Sequence, residues 1–75
     1  MPAQQLYRTY RLYGVELAAR HGVDMHHALQ VVAWAATQCP SRMKPSEAEN
    51  FMRARIEHGI LQAETRGDQR DPEVA

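Results

Sequence analysis

Cysteine, tryptophan and phenylalanine each occur once in this chain. A single Cys39 excludes an intrachain disulfide, and a lone thiol suits a reducing compartment. No apolar run approaches the roughly 18 residues that a membrane-spanning helix needs. The opening Met1-Pro2-Ala3-Gln4-Gln5 lacks the basic start and apolar stretch of a signal peptide, so a cytoplasmic location without a membrane partner is expected. An excess of either charge is missing too, since nine Lys+Arg balance nine Asp+Glu. Domains that grip nucleic acid usually show a basic excess or stripe, which makes DNA the less favoured partner. The sequence holds no glycine-rich phosphate loop, no nucleophile–base spacing and no pair of acids on one helical face. The expectation is a protein that is not an enzyme and carries no cofactor.

What the chain does contain is helical periodicity. Counting about 100° per residue, Leu6, Tyr10, Tyr13 and Leu17 fall on one stripe, at the spacing of an amphipathic helix. That helix is predicted over about 3–21, closed by Gly22, a residue suited to the left-handed position after a helix end. Leu12, Val15 and Ala19 lie on nearly the opposite side. Asp24 is a good N-cap for a second helix over about 25–38. Its inward stripe is Met25, Leu29, Val32 and Ala36, with Ala28 and Ala35 allowing close approach, while His27, Val31 and Trp34 face away. Cys39 to Pro45 contains two prolines and reads as a loop. Ser46-Glu47-Ala48-Glu49 fits a capping box. The third helix then places Ala48, Met52, Ile56 and Ala63 inward, with Phe51 and Ile60 at the edges. It either ends at His58, with Gly59 as cap, or continues to about Arg66 and ends at Gly67, and continuation is the favoured reading. Arg20-His21-Gly22-Val23 and Glu57-His58-Gly59-Ile60 look alike, but the phrase is too short to make a repeat. The predicted fold is an all-α three-helix bundle over residues 1–67, with room for a short fourth turn, and a disordered tail over 68–75.

At 75 residues, one core supplies little more than about 3–5 kcal/mol, and small domains usually add a disulfide, a metal or a partner chain. His21, Asp24, His26 and His27 crowd one junction and are zinc-compatible in type. Their spacing matches no metal motif, though, and adjacent histidines diverge by about 100° on a helix. Surface and capping roles are the plainer reading, and no metal is expected. Cys39 has neither a CxxC partner nor an activating base.

Elimination leaves a partner chain, which is either a larger protein or a second copy. Tyr and Arg are enriched among residues that carry binding energy at interfaces. Tyr7, Arg8 and Arg11 form a patch beside the first helix's core stripe, and Trp34 with Val31 forms another. The plainer alternative makes these ordinary surface charges and a core tryptophan. The favoured function is a small protein-binding module (regulator, adaptor or inhibitor, of bacterial or phage size) that acts sterically on a larger complex. Its contact residues are Tyr7, Arg8, Arg11, Val31 and Trp34. A self-assembling structural subunit is a further alternative.

One stretch points elsewhere. Arg53-Ala54-Arg55-Ile56-Glu57-His58-Gly59-Ile60-Leu61 resembles the end of a recognition helix in winged-helix regulators, where a Gly-hydrophobic-hydrophobic step leads into the wing. Arg66, Asp68 and Arg70 are similar to a charged wing tip. The resemblance implies DNA binding, with Arg53 and Arg55 facing bases or phosphates and Arg42 and Lys44 on the backbone. It spans about a fifth of the chain. The loop before Ser46 exceeds the usual helix-turn-helix turn of about three or four residues, and no β-branched strand pair follows Leu61.

Overall fold

In the computed structural model, residues 2–74 are described, with side chains described for residues 2–64. Three helices follow one another: α1 over Ala3–Arg20, α2 over Met25–Gln38 and α3 over Pro45–Val74. There is no strand among the described residues. No helix among them is long and apolar enough to cross a membrane.

Local chemistry sets the first two boundaries. Beyond Arg20, the Val23 amide donates to the Ala18 carbonyl at 2.8 Å and the Gly22 amide to Ala19 at 3.4 Å. This double closure requires a left-handed residue, and Gly22 supplies it at φ 68°. At the start of α2 the Asp24 carboxylate accepts the His27 amide at 3.1 Å, satisfying one of the free donors of the first turn.

α3 begins differently from the predicted capping box at Ser46. Pro45 is its first residue, and the Glu47 carboxylate reaches back to accept the Lys44 amide at 3.2 Å. Proline's fixed φ suits the first helical position, so the start lies at Lys44 and Pro45, ahead of Ser46. At the far end α3 continues through Gly59, as the favoured reading has it, and runs past Arg66 to Val74. A Cβ at Gly59 would lie 2.6 Å from Val31 Cγ1, so the glycine serves a close helix–helix approach and does not cap. The predicted tail at 68–75 falls where side chains lie outside the described residues.

Polar bridges fix helix directions. Tyr13 meets Glu57 and His21 meets Glu64, at sequence separations of 44 and 43. Near-constant separation means that α1 and α3 run parallel. α2 returns between them, with Val31 beside Gly59 and Trp34 beside Arg55. The core is Leu6 and Ala18 from α1, Ala28, Val31, Val32, Ala35 and Ala36 from α2, and Ala48, Met52, Ile56 and Ile60 from α3. Gly14 lets α1 approach α2, because a Cβ there would collide with a Val32 methyl. Two side chains expected elsewhere change place. Met25, placed inward by its spacing, is 53% exposed at the first residue of α2, where a helix end has neighbours on one side only. Val31, placed outward, is 8% exposed. α2 is covered by α1 on one flank and α3 on the other, so its buried arc is wider than one stripe.

Candidate functional site

The face of the α1/α2 pair that α3 does not cover carries an open groove of about 610 Å³. Tyr7 lines it from α1, together with Ala3 and Gln4, and Leu29, Ala33 and Ala36 supply apolar floor from α2. His26, Gln30 and Thr37 complete the α2 wall, so no Asp, Glu, Lys or Arg lines the groove. It arises where the small residues of α2 meet the first two turns of α1, which leave a channel that alanine side chains do not fill. Volumes of roughly 300–1,000 Å³ are typical of binding clefts.

The sequence-predicted contact residues separate on this framework. Tyr7 is half-buried, packing against the core at the groove's edge. Arg8 and Arg11 are exposed on α1. By helical spacing, Arg11 stands one turn beyond Tyr7 on the same side. Val31 leaves the candidate face as a correction, since its methyls pack on Gly59 inside the α2/α3 contact. Trp34 is 40% exposed beside Arg55 of α3 and does not itself line the groove. The five residues therefore do not form one patch.

Two arginine–aromatic arrangements flank α3. On the α1 side, the Arg53 guanidinium lies 5.5 Å from the Tyr13 ring centre and pairs with Glu49 at 3.3 Å. The Tyr13 hydroxyl donates to Glu57 at 2.9 Å. Burial, then the bond to Glu57, raises the Tyr13 pKa above its usual value; burial does the same for Tyr10, helped by Glu49. On the α2 side, the Arg55 guanidinium lies 4.9 Å from the Phe51 ring and 5.8 Å from the Trp34 ring. No carboxylate pairs with Arg55 among the described residues.

This geometry differs from the winged-helix resemblance in two respects. The Gly59-Ile60-Leu61 step stays helical, and no strand forms a wing among the described residues. Arg53 and Arg55 diverge by roughly 200° around α3 and engage different neighbours, so they do not share a groove-facing stripe. Arg42 and Lys44 are exposed in the α2–α3 connection.

At the histidine junction, His21 Nδ1 lies 3.1 Å from Glu64 while Asp24 caps α2, and His26 and His27 are exposed. No group of three or more His, Cys, Asp or Glu able to hold a metal occurs among the described residues. Cys39 is half-buried, its thiol 4.0 Å from the Met43 sulfur.

Sequence reading missed the Arg55–Trp34–Phe51 cluster as a unit. A signal for it exists. In an antiparallel helix pair, residues equidistant from the turn lie side by side, and Trp34 and Phe51 nearly flank Arg42 symmetrically. Arg55 is one turn after Phe51. The groove had no such signal, because it depends on how far apart α1 and α2 sit. Comparison with protein-family models, curated proteins and solved structures finds no match to this chain.

Proposed function

We propose that this chain is a small protein-binding module of the regulator, adaptor or inhibitor kind, which works by covering or bridging a surface on a larger protein. The observation that carries the reading is the uncharged apolar groove between α1 and α2, open on a molecule whose core is already filled. An amphipathic helix laid into such a channel gains apolar contact with Leu29, Ala33 and Ala36. Tyr7 is the ring at its edge, and Arg8 and Arg11 stand on α1, residue types that carry much of the energy at protein interfaces.

The test is affinity capture from cells of the source organism with the wild-type chain, Ala33→Arg, and Arg8→Ala combined with Arg11→Ala. Ala33 is exposed, so an arginine there obstructs the groove without entering the core. A protein retained by the wild type should be lost with Ala33→Arg and weakened by the double variant, while all three chains melt within a few degrees of one another. Capture unaffected by Ala33→Arg removes the groove from the reading. Light scattering covers the self-assembly alternative: a mass that rises with concentration, and falls back with Ala33→Arg, makes the occupant a second copy.

A further inference from the structure

The Arg55 cluster combines three features that point outward from the fold. Its guanidinium lies over two rings, which biases its position before any partner arrives. One of those rings, Trp34, is 40% exposed. Its charge has no carboxylate partner among the described residues, whereas Arg53, also over a ring, has Glu49. A guanidinium stacked through its face keeps its N–H edge for bidentate bonding to a carboxylate, and its preordering lowers the entropy lost on binding.

We propose that Trp34, Phe51 and Arg55 form a second contact point, which receives an acidic segment of a protein partner. A Glu or Asp carboxylate takes the Arg55 edge, and an adjacent apolar side chain covers the open part of the Trp34 ring. Charge complementarity selects this occupant. A nucleic-acid strand would also offer anions and stacking bases, but it needs a run of cations along its backbone. Arg53 is turned to the other seam and tied to Glu49, and the chain's net charge is zero. The inference rests on the protein-binding reading and gives that partner its chemistry.

Trp34 is the only tryptophan, so its fluorescence reports the site in the full chain. The probes are a capped peptide of alternating leucine and glutamate, the same peptide with glutamine for glutamate, and oligothymidylate. Saturable quenching or a shift is expected with the glutamate peptide. Affinity should fall about tenfold or more with the glutamine peptide and with Arg55→Gln, in line with loss of a charge-assisted bond. Arg55→Lys, which keeps the charge and loses the fork, should fall between. Equal affinity for the two peptides, tighter binding of oligothymidylate, no saturable response, or an undiminished Arg55→Gln each overturns the inference. The peptide comparison uses wild-type protein, so it holds whatever the variants do to folding. Ala33→Arg separates the two sites. Peptide binding lost there but kept in Arg55→Gln moves the acidic segment to the groove and leaves the protein-binding reading standing.

Discussion

The two seams along which α3 meets its neighbours are built on different physics. Against α1, the contact is a polar ladder of Arg53 over Tyr13 with Glu49, Tyr13 to Glu57, and His21 to Glu64. Against α2, it is a steric fit, with Gly59 receiving the Val31 methyls and Arg55 lying across two rings further along. Directional bonds specify which residue pairs with which, so the α1 ladder sets register. Close packing is non-directional but intolerant of added volume, so the α2 seam sets distance. The α1 seam satisfies its arginine within the fold. The α2 seam gives its arginine two rings and no carboxylate among the described residues.

The largest effect should come from breaking the steric seam. Gly59→Ala gains up to about 1 kcal/mol of helix propensity. The new Cβ, however, would lie 2.6 Å and 3.2 Å from the two Val31 methyls and 3.5 Å from Val31 Cβ. Val31 in a helix is held to one strongly preferred χ1 rotamer, so turning a methyl out of the way is itself unfavourable. Overpacking typically costs about 1–3 kcal/mol, so a net loss of up to about 2 kcal/mol is expected. Urea unfolding measures it, and adding Val31→Ala should recover most of that loss. A Gly59→Ala chain more stable than wild type would mean that the seam is loose.

The polar ladder should respond to pH and less to mutation. Tyr13 and Tyr10 have pKa values above their usual value near 10. The fold therefore favours their neutral hydroxyls. That contribution is fully present below about pH 10 and is lost as pH rises through the folded values. The melting temperature should fall above about pH 10, and less steeply in Tyr13→Phe. At neutral pH, Tyr13→Phe loses one half-exposed hydrogen bond and should cost about 0.5–1 kcal/mol. An alkaline limb identical in the two proteins would remove Tyr13 from the ladder's energetics.

The seams also mark how far the sequence could be read. Asp24 and Gly22 act locally, through their own side chain or φ, and both helix ends they govern were legible. α2 came out at 25–38 as its pattern indicates. Gly22 and Gly59 sit in near-identical His-Gly-hydrophobic phrases and do opposite things. One closes a helix at φ 68°, and the other remains inside one to admit Val31. Lacking a Cβ serves both purposes, so only the neighbour across the contact decides between them. Val31 was misplaced for the same reason, since a helical wheel shows one face and α2 is covered on two. Of the candidate contact residues, Tyr7 and Trp34 stood out by residue type. The groove and the Arg55 cluster depend on separation between helices, which no single element encodes.

The smallest difference, that between the two arginine variants, should also separate the two seams most directly. Arg53→Gln and Arg55→Gln each remove an exposed cation–π contact, worth about 0.5–1 kcal/mol. Arg53→Gln also removes the Glu49 pair, which at i,i+4 on an exposed helix adds about 0.3–0.5 kcal/mol. The difference between the two variants is too small to trust as a bare number, but salt distinguishes them. At about 1 M salt the screening length shrinks to roughly 3 Å, which weakens a solvent-exposed ion pair. The Arg55 guanidinium, over ring faces, has no carboxylate interaction among the described residues for salt to screen. Urea unfolding at low and high sodium chloride should therefore show the cost of Arg53→Gln shrinking with salt while that of Arg55→Gln holds. Equal salt dependence would mean that Arg55 has found a carboxylate in solution, and the charge held open for a partner would already be engaged within the chain.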